Sequence, residues 1–226
     1  MKTQTILGAL VFSGCFLAVV LDLPSTTGNP LPSARLGPAA LAGTVPADVQ
    51  TAAEKIVASA KEQARKGAVY APGYFAIPYP NGDLPADKGV CTDVVIRALR
   101  KAGYDLQKLI HEDMKRNFNK YPNNWGLKRP DSNIDHRRVP NQMRFFERHG
   151  LSLTLKVTED TLERWQPGDI VYWKLDSGLD HCGVLTDTRN GSGEPLVVHN
   201  LGRCVEEDCL TKWKITGHFR FPKKDK

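Results

Sequence analysis

The sequence has few aromatic residues, no concentrated positive charge and a single apolar run that approaches membrane length. Aromatic residues make up 8% of the 226 residues, and the net charge of +6 comes from 31 basic residues spread among 25 acidic ones. A charge this diffuse does not predict a nucleic-acid partner, and one apolar run excludes a polytopic membrane protein. The zinc-site spacings CxxC and HExxH are also missing, so we expect neither a metal nor another cofactor.

The N-terminal segment carries a targeting pattern. Lys2 precedes the apolar run Ile6–Leu21, which Asp22 ends. This pattern predicts a secretory signal or an N-terminal anchor over residues 1–28, and Cys15 lies in a faint lipoprotein-like cleavage box. Residues 29–46, rich in Pro, Gly, Ala, Ser and Thr, read as a flexible linker. We therefore expect one monomeric domain at residues 47–226, periplasmic or secreted, with any membrane contact made through the N-terminal segment.

Hydrophobic periodicity changes from helical to strand-like at Gly150, which predicts an α+β domain. The expected helices run from Asp48 to Gly67, from Cys91 to Gly103, from Asp105 to Phe118 and from Pro140 to Gly150. The expected strands are Ser152–Val157, Ile170–Lys174, His181–Thr186, Leu196–His199 and Trp213–Phe221. Short connections between the strands predict an antiparallel meander.

Cys91 begins the second expected helix, directly after Gly89 and Val90. Free backbone N–H groups and the positive end of the helix dipole favour a thiolate at such a position. A buried structural cysteine or a disulfide partner is the alternative interpretation. The position alone makes Cys91 a candidate nucleophile.

A thiol nucleophile needs a base and a group that orients the base, and His181 is the candidate base. The turn signal Arg189–Gly193 separates His181 from His199 and Asn200. A three- or five-residue loop centred on Asn190 would pair His181 directly with His199, whereas a two-residue turn would pair it with Asn200. The residues alone leave both alternatives open.

The remaining cysteines and a charged loop supply further candidates. Cys204 and Cys209 are close in sequence, which predicts a local disulfide in an exported protein, whereas strand alternation points Cys182 away from the His181 face. Asp135 and Arg137 lie in a polar loop that either orders itself through ion pairs or contacts a charged substrate. We take Asp135, Arg137 and Asn200 as candidate substrate-binding residues.

Five segments carry a family resemblance: GVCTDVVIRALR, YPNNWGLKRPDSNIDHRRVPN, WQPGDIVYW, DHCGVLTD and VVHNLG. From about residue 50 onward they resemble the bacterial domain-of-unknown-function family 1287. That family is in turn similar to the NlpC-type cell-wall cysteine peptidases, which have a papain-like fold with helices packed on an antiparallel sheet. The resemblance implies Cys91 as nucleophile, His181 as base and His199, rather than Asn200, as the orienting group.

The sequence departs from the NlpC pattern at several places. Cys182 stands where an apolar residue is expected, Cys204 and Cys209 are additions, and the order Cys91-Thr92-Asp93 differs from the usual Asp-Cys-Ser/Thr. The expectation is an exported thiol hydrolase that cleaves an amide bond in peptidoglycan stem peptides. Transfer of the acyl group to another acceptor would use the same acyl-enzyme, and the sequence does not choose between the two reactions. The alternative is a non-catalytic module of the same fold that binds cell wall or a protein.

Overall fold

The computed structural model describes residues 51–223. The signal or anchor expected at residues 1–28 and the linker expected at residues 29–46 lie outside the described residues. Within residues 51–223, no helix is both long enough and apolar enough to cross a bilayer.

Four α-helices and eight strands occur in residues 51–223. The helices are α1 (Ala52–Lys66), α2 (Cys91–Lys101), α3 (Leu106–Asn117) and α4 (Val139–His149), with 3₁₀ turns at Phe118–Lys120, Asp135–Arg137 and Glu159–Arg164. The strands are β1 (Val69–Tyr70), β2 (Lys88–Gly89), β3 (Leu151–Ser152), β4 (Ile170–Lys174), β5 (Asp180–Arg189), β6 (Pro195–Asn200), β7 (Cys204–Glu207) and β8 (Lys214–Arg220).

Local capping explains where the first helix begins and ends. Thr51 and Glu54 form a reciprocal capping box, in which the Thr51 hydroxyl accepts from the Glu54 N–H and the Glu54 carboxylate accepts from the Thr51 N–H. Gly67 then ends α1 in the left-handed conformation, with φ of 62°, as the sequence predicts.

The main sheet is antiparallel, with strand order β3-β8-β4-β5-β6-β7. The expected meander is confirmed for β4, β5 and β6, and β7 extends it. It is wrong for the first and last expected strands, because β8 returns to the far side of β4 and lies between β4 and β3. The α+β class predicted from the change in periodicity is confirmed.

Each face of the sheet covers its own hydrophobic cluster. The helix-side cluster combines residues of α1, α2, α3 and α4 with Tyr172, Cys182, Val184, Val198 and Cys204 of the sheet. The opposite cluster contains Trp165, Trp173, Leu185, Val197, Cys209 and Leu210. Because side chains alternate along a strand, neighbouring residues of β5 serve different clusters.

The expected strand at Ser152–Val157 is shortened to Leu151–Ser152. Beyond it, the Thr154 carbonyl accepts a hydrogen bond from the His218 ring and the Lys156 carbonyl accepts one from the Trp165 indole. These backbone carbonyls therefore accept hydrogen bonds from side chains instead of from a neighbouring strand, so β3 does not continue. A strand that the sequence analysis missed, β7, lies where the disulfide loop was expected.

Candidate active site

Cys91 is the first residue of α2, and only 6% of its surface is exposed. Helix geometry leaves the first N–H groups of α2 without intrahelical partners. Within residues 51–223, the Cys91 and Thr92 backbone N–H groups donate to no protein acceptor, whereas the Asp93 N–H donates to the Val90 carbonyl (3.0 Å). The thiol thus lies at the positive end of the helix beside two free donors.

A buried ion pair fixes the start of α2. The Asp93 carboxylate accepts from the Val90 N–H (2.8 Å) and from Arg137 Nε and Nη2 (2.9 and 3.0 Å). The Thr92 hydroxyl donates to the Arg137 carbonyl (3.0 Å), and Arg137 Nη1 donates to the Gly73 carbonyl (3.0 Å). All these contacts are inside the protein.

The expectation that Asp135 and Arg137 bind substrate is therefore corrected. The Arg137 guanidinium is buried and fully engaged by Asp93 and Gly73. The buried Asp135 carboxylate accepts from the Asp131 N–H and from Arg138 Nη1 (3.1 Å). Of the two interpretations of this loop, internal ordering through ion pairs is the one that the contacts support.

His181 and His199 are in direct contact, although not in the register that the sequence predicted. The distance from His181 Nε2 to His199 Nδ1 is 3.0 Å. Gly183, not His181, pairs with His199, so the two histidines are diagonal neighbours on one face. Diagonal positions remain within reach of large side chains, which is why the contact forms despite the shifted register.

Two features set the observed register between β5 and β6. The hairpin loop has five residues but is centred on Ser192, because Arg189 pairs with Pro195 and the Asn190 N–H donates to the Glu194 carbonyl. A register irregularity then falls between Leu185 and Arg189. Both predicted pairings, His181 with His199 and His181 with Asn200, are therefore wrong.

Gly183 allows the close approach of β5 and β6 beside the histidines. A Cβ atom there would lie 2.6 Å from Val197 Cγ1, 2.8 Å from the Val198 carbonyl oxygen and 3.3 Å from His199 Cβ. The first two separations are shorter than packed atoms tolerate, so only glycine fits without displacing the strand that carries His199.

Asn200 points to the opposite face of β6 and binds backbone. Its Nδ2 donates to the carbonyls of Ala68 (3.0 Å) and Gly89 (3.3 Å). Gly89 lies two residues before Cys91, so Asn200 holds the chain that leads into α2. It neither contacts His181 nor presents a free amide to substrate, which corrects its expected role.

Glu207 of β7 extends the histidine pair, and the sequence analysis missed it. His199 Nε2 lies 3.0 Å from Glu207 Oε2, and Lys212 Nζ donates to Glu207 Oε1 (2.8 Å). His199 pairs with Val205, which places Glu207 diagonally opposite on the same face. Alternation along Cys204–Glu207 was the available signal, but that segment was taken as a disulfide loop.

The carboxylate sets the direction of the hydrogen bonds. A carboxylate only accepts, so His199 Nε2–H donates to Glu207 and the neutral His199 ring keeps Nδ1 as an acceptor. His181 Nε2–H then donates to His199, which leaves His181 Nδ1 for the Cys91 thiol. Burial, and then the charge of His181, lower the pKa of His199, which agrees with a neutral ring.

The Cys91 thiol is acidic because of its two neighbours on β5. A hydrogen bond from the Cys182 thiol lowers the pKa of Cys91 most, burial opposes it, and the hydrogen bond and charge of His181 lower it further, to about 5. Burial and the adjacent Cys91 raise the pKa of Cys182 well above its usual value. Cys182 pairs with Tyr172 and lies on the helix side of the sheet, as alternation predicts, which is the side on which Cys91 is buried.

Aromatic side chains surround the hydrogen-bonded series His181–His199–Glu207, which together with Cys91 is called the relay below. Trp173 stacks on His181 with ring centroids 5.7 Å apart, and Trp213 meets both histidine rings edge-on. His181 is 1% exposed and His199 is 2% exposed. Such packing restricts each ring to one orientation and buries the hydrogen bond between the two histidines.

The predicted disulfide between Cys204 and Cys209 is wrong. All four cysteines within residues 51–223 are free thiols. Cys204 lies in the helix-side cluster and Cys209 in the cluster on the opposite face, so the sheet separates their side chains. Sequence proximity had suggested a link, but the two thiols are buried in different clusters.

One group of residues has metal-binding atoms in proximity. Atoms of His199, Glu207 and Cys209 all lie within 4.8 Å of one another. His199 and Glu207 already bond to each other, and Lys212 occupies the second Glu207 oxygen, so a cation would have to break both contacts. The donor set is better explained as the end of the histidine relay.

Comparison with known proteins identifies the family. A model described as domain of unknown function DUF1287 matches residues 57–221. The uncharacterized protein YijF of Escherichia coli strain K12 is 50% identical over 167 residues, which cover 74% of this chain and 80% of that protein. The chain therefore belongs to the DUF1287 family.

Proposed function

We propose that this DUF1287 protein is a thiol-dependent amide hydrolase that uses Cys91, His181 and His199, with Glu207 as a fourth member. One observation carries the proposal: the Cys91 thiol at the start of α2 has its pKa lowered by Cys182 and by His181, the His181 ring is held by His199, and His199 in turn bonds to Glu207. Nucleophile, base and orienting group occur in the order that thiol acyl transfer requires.

The chemistry follows from this order. Cys91 Sγ attacks the amide carbonyl carbon, and the Cys91 N–H donates to the oxygen that becomes negatively charged. His181, carrying the thiol proton on Nδ1, transfers it to the departing amine. His181 then takes a proton from water, which attacks the thioester carbon, and the C–S bond breaks to release the acid and restore the thiolate.

His199 and Glu207 act on His181 rather than on substrate. The Glu207 carboxylate holds His199 in the tautomer that accepts from His181, which directs His181 Nδ1 toward the thiol. His199 is therefore a positioning residue, and Glu207 positions it in turn. Loss of either weakens the orientation of the base but leaves nucleophile and base in place.

The proposed substrate is an amide bond in peptidoglycan stem peptides, and the proposed location is the periplasm or the exterior. The resemblance of the motifs to NlpC-type cell-wall peptidases, with their papain-like fold, supports this substrate. A cysteine-bearing helix, α2, packed on the antiparallel strand that carries the base agrees with that arrangement. Cell fractionation tests the location, and a mainly cytosolic protein would contradict both the export and the wall substrate.

Product analysis tests the activity. The full chain is incubated with purified muropeptides and the products are identified by mass spectrometry. We expect cleaved stem peptides with the unaltered protein and none with Cys91→Ala, because no acyl-enzyme can form. Cys204→Ala is the matched control, since Cys204 is also a buried helix-side thiol but takes no part in the relay. Cleavage by Cys91→Ala would end the thiol mechanism.

Low exposure of Cys91 and both histidines favours a second candidate, a non-catalytic module that binds cell wall or a protein. Alkylation separates the two, because only the thiolate reacts with iodoacetamide. For the enzyme, the Cys91 rate should fall only as the pH drops through about 5. An inflection at the ordinary thiol value of about 8.5 would instead favour the binding module.

A further inference from the structure

A groove between α1 and α2 lies away from the candidate active site. It consists of two adjoining cavities of about 310 and 330 Å³, which share lining residues from both helices. Cys91 begins α2, whereas Lys101, which lines both cavities, ends it. Ten residues of helix separate these positions by about 15 Å. The groove is therefore distinct from the relay, and hydrolysis does not account for it.

Basic side chains dominate the lining of this groove. The cations are Lys55, Arg65, Lys66, Arg97, Arg100 and Lys101, and the acids are Glu62 and Asp83. Glu62 lies 2.7 Å from Lys66, and the Asp83 carboxylate lies 2.9 and 2.7 Å from Arg97 and Arg100. The ion pairs of residues 51–223 include none for Lys55, Arg65 or Lys101. Three cations of the groove therefore have no carboxylate partner.

The helix dipoles explain only part of this charge. Cations in the last turn of a helix are stabilised by its negative end, which accounts for the basic residues that end α1 and α2. Lys55 is the fourth residue of α1, where the dipole gives a cation no stabilisation. The excess positive charges also repel one another across the groove, and an anion placed between them would relieve that repulsion.

The groove is shaped for a narrow ligand. Arg97 donates to the Asp83 carboxylate (3.0 Å) and to the Lys88 carbonyl (2.9 Å), which fixes the loop that forms one side of the groove. The side chains of Arg97 and Arg100 are 13% and 22% exposed, whereas that of Lys66 is 60% exposed. A flat bilayer surface would touch only the outer cations, but a single extended chain can enter between the helices.

We propose that this groove binds a linear polymer that carries carboxylates, at a site separate from Cys91. Carboxylates suit the lining, because those of Glu62 and Asp83 already bind its cations. The two cavities follow α1 from Lys55 to Lys66, which is about 16 Å, or about five extended residues of a polymer. Such a ligand reaches several cations at once, so its binding is multivalent. The proposal depends on charge and shape and not on the proposed hydrolysis.

The test is the binding of a fluorescently labelled peptide of about ten glutamates to the full chain, measured by anisotropy at about 0.15 M salt. We expect saturable binding by the unaltered protein. The combined changes Lys55→Gln, Arg65→Gln and Lys101→Gln should raise the Kd about 10-fold or more, because they remove the three cations without partners. All three side chains are exposed, so the fold should be retained.

Helix α3 offers a matched control. Lys108→Gln, Lys115→Gln and Arg116→Gln remove the same net charge from exposed positions outside the groove. As in the groove variant, one position lies near a helix start and two lie in a last turn. At this salt concentration charges farther away than about 8 Å are screened, so the Kd of the control should change less than about twofold.

Three results would overturn the proposal. One is the absence of saturable peptide binding by the unaltered protein, and another is an equal loss of binding in both triple variants. The third is binding to vesicles of phosphatidylglycerol and phosphatidylcholine, lost in the groove variant, without binding to the peptide, which would assign the groove to a membrane surface. Because the readout is a dissociation constant, an inactive hydrolase would not affect it, and failure of the hydrolase proposal remains distinguishable from failure of this one.

Discussion

Two buried histidine–carboxylate pairs lie in one sheet, and only one of them neighbours a thiol. His199 contacts Glu207 and His218 contacts Asp169, with N–O distances of 3.0 Å in both pairs. Both histidines are almost completely buried. A buried histidine that binds a carboxylate therefore does not by itself identify a reactive site.

The ring nitrogens distinguish the structural histidine His218 from His181, which is the partner of His199 in the first pair. His218 directs Nδ1 to the Thr154 carbonyl (2.8 Å) and Nε2 to Asp169, so both nitrogens end on protein acceptors. Its ring also stacks on Trp165 with centroids 3.7 Å apart. His181 binds His199 through one nitrogen and has the other for Cys91. In the proposed mechanism, His181 can act as a base because one of its nitrogens remains for Cys91, whereas neither nitrogen of His218 does.

The second pair joins β8 to the turn before β4. Asp169 also accepts from Arg220 Nε and Nη2 (2.6 and 2.8 Å) and from the Gln166 N–H (3.0 Å). A fully buried carboxylate with this many donors is a structural junction. The segment Trp165–Asp169 therefore has a structural role at the entry to β4.

The largest expected effect is the loss of activity when His181 of the relay is replaced. His181→Ala should lower kcat/KM on muropeptides by about 10²- to 10⁴-fold, because it removes the base and the acid for the leaving amine. The pH inflection of Cys91 alkylation should move above about 5, since one cause of the low thiol pKa is gone. Steady-state kinetics and iodoacetamide labelling measure the two effects, and an unchanged alkylation profile would contradict the contact with His181.

The second effect is a loss of stability when the structural pair His218–Asp169 is broken. His218→Ala should lower the free energy of unfolding by about 3 kcal/mol, because it leaves Asp169 buried with one donor fewer. Urea denaturation measures the change. Turnover per folded molecule should stay the same, since His218 touches neither Cys91 nor the relay. A selective loss of kcat in this variant would remove the distinction between the two pairs.

A smaller effect is expected at Glu207. Glu207→Gln should lower kcat about 10-fold, the equivalent of one hydrogen bond to a charged group, with KM unchanged. Glu206→Gln is the matched control, because Glu206 precedes Glu207 on β7 but accepts from the Thr186 hydroxyl instead. If both variants lose the same activity, Glu207 has no particular role in the relay.

His136 is a third type of buried histidine, and its effect is the smallest. Burial, and then the charge of Arg137, lower the pKa of His136 to about 3, so it stays neutral in the folded state. The unfolded state binds a proton below about pH 6.5, so stability should fall by about 1 kcal/mol between about pH 6.5 and 5.5. Urea denaturation at both pH values should show this slope reduced in His136→Gln, and an equal slope would contradict the assignment.

The sequence alone predicted the elements that depend on local patterns. The start of α2 at Cys91, the strand Ile170–Lys174 and the two histidine-bearing strands all follow from periodicity, capping and turn residues. These signals lie within a few residues of each position. They placed the thiol at a helix N-terminus and His181 and His199 on neighbouring strands.

Only the tertiary structure decided which side chains meet. The loop centred on Ser192 and the register irregularity in β5 together left the histidines as a diagonal pair, and the neighbouring β7 brought Glu207 to His199. The fold buries Cys204 and Cys209 in clusters on opposite faces of the sheet, and it places Cys182 on the helix side with Cys91. Arg137, expected at substrate, became the partner of Asp93. Periodicity fixes the face on which a residue lies, but loop length, bulges and strand order fix its neighbours across that face, and those depend on the whole chain.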